Sequence, residues 1–228
     1  NSSRSDAGPC ISADGLKLYL HSYRRGEWNI YMTEREETSD SFEQLTILSA
    51  DEGAPSISAN GLELYFTRWQ PGGQGMIDIY VSKRDAIGEQ WSQPANLGDT
   101  VNTSNHDFSP CISYDGLSLY FASNNSPSSG DPDLFVSTRT DLSSDWSSPE
   151  HLGFVVNNAA FDAHPSISAD GLTLYFASDR DGGYGNFDLY VCRRESLSES
   201  WDTPQNMGGT MNSERSDFWP SISSDGLC

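Results

Sequence analysis

The segment PSISADGLTLYF, residues 165–176, is the most informative part of this chain because nearly the same segment occurs five times. The other copies are PCISADGLKLYL from Pro9, PSISANGLELYF from Pro55, PCISYDGLSLYF from Pro110 and PSISSDGLC from Pro220. Recurrence of this kind, with tens of residues between copies, is typical of repeat architectures in which each copy is one supersecondary unit. The sequence therefore predicts one domain built from repeats.

The fourth copy and the residues after it indicate what one repeat contains. Four short segments, PSIS, LTLYFAS, FDLYVCR and SWDTPQNMG, are separated by Asp-Gly turns, Gly-rich loops and polar links. Such segments predict about four consecutive antiparallel strands joined by hairpins. Within LTLYF, Leu174 and Phe176 share one face and Tyr175 lies on the other, so both faces carry bulky side chains. Sheets stacked radially bury both faces, which predicts a β-propeller.

The predicted fold class is all-β, a propeller of four-stranded antiparallel blades with four complete blades and one extra first strand. The predicted domain covers 1–228, with blades at 9–48, 55–98, 110–153 and 165–208 and a partial repeat at 220–228. Both ends of the chain supply the same strand, so two explanations stay open. Further blades complete a ring of more than four, or the terminal strand pairs elsewhere, for example with another molecule through its open edge.

The composition excludes several classes of protein. With 33 acidic and 13 basic residues, the net charge of −20 repels a nucleic-acid backbone and attracts cations or basic partners. An aromatic content of 11% separates the chain from acidic disordered segments. No apolar run approaches the roughly 18 residues of a membrane-spanning helix. We therefore expect an ordered, soluble protein without nucleic-acid binding or membrane insertion.

The four cysteines do not indicate a zinc site, because they show neither a C-x-x-C pair nor a neighbouring histidine cluster. Cys10 and Cys111 occupy the repeat position that Ser56, Ser166 and Ser221 occupy in the other copies. A free cysteine packs as a small hydrophobic residue. We therefore expect buried thiols that replace serine.

The repeat P-S-I-S-x-D-G-x-x-L-Y-F-A-S, followed by D-R-D-G and x-D-L-Y-V, resembles that of the TolB-like, WD-repeat-like propeller family over nearly the whole chain. The first copy departs from it by a shorter loop around YRRGEWN and by a missing VN link before Pro55, and the fifth stops at Cys228. The resemblance implies a propeller with the PSIS strand innermost and export to the periplasm or the cell exterior. It also implies a platform for protein binding, glycan-linked roles or an attached hydrolase.

Positions that recur in every copy are expected to serve the blade itself. One such set is basic and stands at the end of the same predicted strand in each blade: Arg35, Arg84, Arg139 and Arg194. A guanidinium at this place can brace a blade through carboxylate or carbonyl contacts. Ligand binding by these arginines is the alternative.

An acidic residue lies three positions before each repeated proline, which makes a candidate metal site. These acids are Asp6, Glu52, Asp107, Asp162 and Asp217. With the PSIS strand innermost, as the resemblance implies, they form a ring near one mouth of the central channel. Several carboxylates suit Ca²⁺, a hard cation that prefers oxygen ligands. The alternatives are that each acid bonds to its own blade, or that the ring binds a basic peptide.

Residues that break the repeat are the better candidates for ligand binding. Beside the acids lie two histidines and four large aromatic residues, one of which is Phe108. The candidate site consists of His106, His164, Phe161, Phe218 and Trp219. Such a mixture binds sugars or peptide side chains by stacking and hydrogen bonding, and packing between blades is the alternative. His21 and His151 have no acidic partner at a motif spacing and are expected to be surface or satisfied residues.

No catalytic motif is present, since the chain contains no G-x-S-x-G, H-E-x-x-H or P-loop pattern. We assign no catalytic residues and predict a non-catalytic propeller module that presents one rim or channel mouth to a protein or glycan, with Ca²⁺ as a candidate cofactor. One alternative is a hydrolase or lyase acting on glycan or peptide. The other is a structural segment of a larger surface assembly that associates with itself through an open blade edge.

Overall fold

The structure is a computed structural model, and it describes residues 5–24, 26–42, 45–50, 52–69, 73–125, 127 and 131–226, with backbone alone at 49 and 50. The end of the fifth copy, Leu227 and Cys228, lies outside the described residues. Within the described part of the chain, no helix is long and apolar enough to cross a membrane.

Four antiparallel sheets of four strands form the fold, and in each sheet the spatial order of the strands follows the sequence. Blade 1 contains β1 (Asp6–Ile11), β2 (Lys17–Arg24), β3 (Glu27–Glu34) and β4 (Thr46–Ala50). Blade 2 contains β5 (Glu52–Ile57), β6 (Glu63–Trp69), β7 (Ile77–Lys83) and β8 (Ala95–Asn96). Blade 3 contains β9 (Asp107–Ile112), β10 (Ser118–Ser123), β11 (Asp133–Thr138) and β12 (Glu150–His151). Blade 4 contains β13 (Asp162–Ile167), β14 (Thr173–Ser178), β15 (Asp188–Arg193) and β16 (Gln205–Asn206).

Each sheet packs its two faces against different neighbours. In β6 of blade 2, Leu64 and Phe66 belong to a buried cluster that includes Tyr19 of blade 1. Tyr65, which lies between them in sequence, belongs to a cluster with Phe121 of blade 3. Neighbouring residues of a strand point to opposite faces, so one strand supplies side chains to two interblade cores. The all-β propeller fold predicted from the repeat is confirmed.

The first strand of each blade lines a central channel, and hydrogen bonds join successive first strands. In three of the four junctions between successive copies, the Ser or Cys side chain after the proline accepts a hydrogen bond from the backbone N–H of an isoleucine in the next copy. The pairs are Ile57 with Cys10 at 3.5 Å, Ile112 with Ser56 at 3.0 Å and Ile222 with Ser166 at 3.2 Å. Cysteine therefore replaces serine as an acceptor, and burial raises the pKa of the Cys111 thiol to about 12.

The fifth copy lies between blade 4 and blade 1, although no strand is assigned in residues 217–226. On one side, Asp217 N–H donates to Phe187 O of blade 4 at 2.9 Å. On the other side, Ser224 Oγ lies 3.0 Å from Ala13 O of blade 1, to which it donates. Five inner segments therefore surround the channel, and its walls enclose about 120 Å³.

The four repeated arginines brace the hairpins of the blades. Each Nε donates to the carbonyl of a turn glycine at 2.8 to 3.0 Å, and each guanidinium stacks on an aromatic ring at 4.3 to 4.6 Å. The pairs are Arg35 with Phe42, Arg84 with Trp91, Arg139 with Trp146 and Arg194 with Trp201. The bracing predicted from the repeat is confirmed.

Replacing Arg139 by Met is expected to destabilise the protein more than the matched Arg194→Met variant. Arg139 is 7% exposed, and its Nη2 lies 2.7 Å from Glu63 Oε2, whereas Arg194 Nη2 meets the Tyr120 hydroxyl at 3.3 Å. Breaking a buried ion pair costs about 3 kcal/mol, while losing an aromatic contact and neutral hydrogen bonds costs about 1 to 2 kcal/mol. Urea unfolding measures the loss of stability in both variants, and equal losses would contradict an energetic contribution of the ion pair.

Candidate functional site

The residue before each repeated proline adopts a left-handed backbone conformation. In the four blades it lies where the pairing of the first two strands is interrupted by a β-bulge. The five residues are Gly8 with φ 55°, Ala54 with φ 50°, Ser109 with φ 55°, His164 with φ 57° and Trp219 with φ 61°. We call this place in the repeat the pre-proline position.

Two bulky side chains occupy this position although the backbone there favours glycine. Glycine adopts positive φ without steric penalty, and Gly8 supplies it in blade 1. For a non-glycine residue a strained backbone conformation costs on the order of 1–3 kcal/mol. His164 and Trp219 accept that strain at two successive inner segments, so the fold holds an imidazole and an indole at the same end of the channel.

These residues contribute to a cavity of about 350 Å³ at this end of the channel, which we call the mouth cavity. Six of its lining residues carry rings: His21, Trp28, Trp69, Phe108, His164 and Trp219. The other six are Glu52, Gly53, Ala54, Thr67, Ile77 and Ser109. All four blades and the fifth copy therefore supply part of its wall. Because these side chains differ from copy to copy, the wall does not follow the symmetry of the repeats.

His21 fills the space that a side chain at Gly8 would occupy. A Cβ at Gly8 would lie 2.6 Å from both Nδ1 and Cε1 of His21. The backbone N–H of Ala54 donates to His21 Nδ1 at 3.1 Å, so the ring is neutral and carries its proton on Nε2. Burial agrees with this assignment, because it lowers the pKa of His21 to about 4.

His164 is the second imidazole of the wall and is also held neutral. Its Nδ1 lies 2.8 Å from Ser109 Oγ, and the backbone N–H of Ser109 donates to Thr67 Oγ1 at 3.0 Å. Burial, with a smaller contribution from the nearby His21, lowers the pKa of His164 to about 3. Both imidazoles are therefore uncharged at neutral pH.

Contacts between aromatic rings connect blade 1 with blade 4 across the fifth copy. The centroid of the His21 ring lies 5.0 Å from that of Trp28 and 4.8 Å from that of Trp219. The Trp219 ring lies 3.7 Å from that of His164. Aromatic contacts of this kind contribute roughly 0.5–1.5 kcal/mol each, so the mouth residues also stabilise the place where the first and fifth copies meet.

The structure separates the predicted ligand-binding residues into three groups. His164 and Trp219 line the mouth cavity. Phe161 and Phe218 lie outside its wall, where each contacts Phe187 at centroid distances of 5.3 and 4.6 Å. His106 also lies outside the wall, and its backbone pairs with Ile77.

Among the six ring-bearing residues of the wall, sequence reasoning missed three, His21, Trp28 and Trp69. His21 was expected to be a surface or satisfied residue; it is buried and satisfied, but it lies in the centre of the aromatic contacts. A signal for the tryptophans was available. Three of the six tryptophans recur at the arginine stacks, whereas Trp28, Trp69 and Trp219 break the repeat and all line the cavity.

The five predicted metal-binding acids bond within their own repeats. In three repeats the partner is an arginine: Arg24 at 3.1 Å from Asp6, Arg68 at 3.7 Å from Glu52 and Arg180 at 2.5 Å from Asp162. In the other two, a backbone N–H and a hydroxyl of the preceding link bind the carboxylate: Thr103 with Asp107 and Ser213 with Asp217. Burial raises the pKa of Asp107 and Asp162.

No group of three or more His, Cys, Asp or Glu side chains that could hold a metal ion occurs among the residues described. Of the five acids, Glu52 alone lines either the channel or the mouth cavity. The carboxylates therefore have identified partners within the blades, and calcium binding by Asp6, Glu52, Asp107, Asp162 and Asp217 stays a prediction.

His151 has an acidic partner in space, although none stands at a motif spacing in the sequence. Its Nε2 lies 3.0 Å from Asp133 Oδ2, and Gly153 N–H donates to its Nδ1 at 3.1 Å. In blade 2 an asparagine takes this place, since Asn96 Nδ2 donates to Asp78 at 2.8 Å. His151 is therefore a satisfied residue of the blade, as expected.

Comparisons with known proteins agree on the fold. The sequence matches no protein-family model and no curated protein. Among solved structures, TolB from Acinetobacter baumannii has a TM-score of 0.66 at 17% identity over 99% of this chain and 48% of the TolB chain. The chain therefore spans about half of that protein. At this level of identity the likeness extends to the fold alone, and it confirms the TolB-like propeller fold.

Two further structures share the fold at 14% identity. A chain of the nidogen/laminin complex has a TM-score of 0.57, with 97% of this chain and 69% of that chain covered. An α-L-arabinofuranosidase from Podospora anserina, solved in complex with cellotriose, also has a TM-score of 0.57, with 95% and 70% covered. Proteins of different function therefore share this architecture.

The Gly8→Ala substitution is expected to destabilise the protein more than Gly153→Ala. Both glycines have positive φ, 55° and 83°, but only at Gly8 would the added Cβ meet another group within 4 Å, namely the His21 and Trp219 rings. Strained φ alone costs about 1 kcal/mol, and overpacking adds roughly 1–3 kcal/mol. Urea unfolding of the two variants tests this, and equal destabilisation would mean that the rings move aside freely.

Acidification is expected to destabilise the protein through the mouth histidines. Their pKa values of about 4 and about 3 lie below the ordinary 6.5, so the unfolded chain takes up protons first. The contribution of the two neutral histidines to the free energy of unfolding is complete above pH 6.5 and is lost as the pH falls towards 4. Urea unfolding between these limits should show a weaker pH dependence in His164→Asn, because asparagine tolerates positive φ and does not titrate. The control Phe161→Leu, which removes a ring outside the mouth cavity and no titratable group, should retain the slope of the unmodified protein. An unchanged slope in His164→Asn would contradict the prediction.

Proposed function

We propose that this propeller is a non-catalytic binding module that presents the mouth cavity to a protein or glycan ligand. One observation carries the proposal: the pre-proline position holds bulky rings at positive φ in His164 and Trp219. Backbone strain of this kind persists where surrounding structure supports it and clusters at functional sites. The rest of the repeat would fold with glycine at this position, as blade 1 does at Gly8.

The difference among the copies supports binding at this mouth. The core positions of the strands recur from blade to blade, whereas the residue at the pre-proline position differs in every copy. In order along the chain it is Gly, Ala, Ser, His and Trp. A pocket that recognises one ligand must be asymmetric, with an apolar wall and a few placed polar groups. The mouth cavity has this character, and its volume of about 350 Å³ lies within the usual range for small-ligand sites.

The chemistry of the wall favours binding over catalysis. Nδ1 of each imidazole already has a partner, Ala54 N–H for His21 and Ser109 Oγ for His164. The carboxylate of the wall, Glu52, is 3.7 Å from the guanidinium of Arg68. Acid–base catalysis needs a group whose pKa lies near the working pH, and the two imidazoles titrate far below neutrality.

The partner class rests on shared architecture and on charge. Propellers of this fold occur in a nidogen/laminin complex and in an arabinofuranosidase with cellotriose, which supports a protein or a glycan as the ligand. The net charge of −20 favours a basic or cationic partner. Action outside the cytoplasm and a bound calcium ion are part of the same proposal.

The test is binding of the labelled protein to a panel of immobilised oligosaccharides and peptides. His164→Gly removes a ring from the wall but suits the backbone at φ 57°, so the variant should fold and lose at least tenfold in affinity. The control is Tyr114→Ala, which removes an exposed ring from the β9–β10 turn at the other end of the inner strand. If both variants retain the affinity of the unmodified protein equally, the proposal of binding at the mouth is overturned.

The same panel tests the catalytic alternative. Soluble members of the panel are incubated with the protein, and their cleavage is followed by mass spectrometry. The proposal expects intact oligosaccharides and peptides. Turnover that disappears in His164→Ala would overthrow the non-catalytic assignment and would identify His164 as part of an active site.

A further inference from the structure

The wall of the mouth cavity is aromatic and carries no lysine or arginine among the residues described. Trp28 is 40% exposed and Trp69 is 60% exposed, so both present indole surface to solvent at the rim. Trp219 lies deeper, against His164 and His21. The electron-rich face of an indole attracts a cation within about 6 Å of the ring centroid.

The polar groups of the wall are largely engaged with one another. Nδ1 of His21 and of His164 is occupied, and Thr67 Oγ1 accepts from the backbone of Ser109. A sugar would need new partners for its many hydroxyl groups, because burying a hydroxyl group without a hydrogen bond is unfavourable. The cavity therefore suits a group that is bulky and needs few hydrogen bonds.

The charges around the mouth favour a positive ligand over a negative one. Glu52 forms part of the wall, and the five acids of the repeats are matched by three paired arginines, Arg24, Arg68 and Arg180. The imidazoles add no positive charge at neutral pH. An anionic ligand would enter a cavity without a lysine or arginine in its described wall, in a protein with a net charge of −20.

We infer that the mouth cavity binds a methylated ammonium group, held against the indoles of Trp28, Trp69 and Trp219. A trimethylammonium ion is bulky, is cationic and has no N–H donor, so it matches the aromatic wall, the negative field and the engaged polar groups together. This inference rests on the proposed function, because it names the ligand class of the same cavity. The ion is carried either by a free solute such as choline or by a trimethylated lysine.

Isothermal titration calorimetry with choline and with 3,3-dimethylbutan-1-ol tests the inference directly. The alcohol has the shape of choline with carbon in place of the charged nitrogen, so the pair isolates the charge. We expect choline to bind at least tenfold more tightly than the alcohol at neutral pH. Equal binding of the two would overturn the cation inference, although the mouth would remain a ligand site.

Two variants test whether choline binds at the mouth cavity and whether binding depends on the aromatic face of an indole or only on an apolar side chain. Trp69→Leu keeps an apolar side chain but removes the aromatic face, and we expect it to weaken choline binding at least fivefold. Tyr184→Leu is the matched control, because Tyr184 is 56% exposed and lies outside the mouth cavity. Equal effects of the two variants would overturn the assignment to the mouth.

Peptide arms distinguish the two carriers of the ammonium group. A peptide with trimethyl-lysine is compared with the same peptide carrying unmodified lysine. Preference for the methylated peptide indicates a protein ligand, and binding of choline alone indicates a free solute. If neither binds at millimolar concentration while mouth-dependent binding to the panel persists, the inference fails and the proposed function stands. Panel binding that ignores His164→Gly would instead defeat the proposed function.

Discussion

The structure depends on one constraint, that each sheet must bury two apolar faces at once. The side chains of Leu64 and Phe66 lie on one face of β6 and that of Tyr65 lies on the other face, and all three are buried. Covering both faces of every sheet needs a neighbour on each side, and each fully buried large side chain contributes roughly 1.5–3 kcal/mol. A radial arrangement of blades satisfies this requirement, and it leaves the inner strands around a channel.

The mouth of that channel inherits its chemistry from a detail of the repeat. Each β-bulge before a proline holds its residue at positive φ, and four blades and the fifth copy bring five such residues to one end. Where glycine stands, at Gly8, His21 of the next strand fills the vacant volume. Where His164 and Trp219 stand, the Trp219 ring contacts both His164 and His21, so it connects the fifth copy to blade 4 and to blade 1. The proposed recognition surface and the ring contacts are therefore formed by the same side chains.

Local and periodic features were predictable, and contacts between repeats were less so. The strands, their hairpins and the bracing by Arg139 and its equivalents follow from patterns that recur in every copy. The family resemblance implied a ring of acids, and the structure adds that Asp162 pairs with Arg180 of its own blade. His21 gave no signal in a linear motif, because its neighbours Ala54 and Trp219 come from other repeats.

The amino-acid sequence alone was sufficient for the all-β propeller and the number of inner segments, because strand pairing and turns depend on neighbours within one copy. The composition of the mouth cavity depended on the packed structure. Its wall joins Trp28 of blade 1, Trp69 of blade 2, Phe108 of blade 3, His164 of blade 4 and Trp219 of the fifth copy. Residues so distant in sequence meet only when the blades stack. The left-handed backbone conformation that places His164 and Trp219 at the mouth forms only together with the strands and bulges.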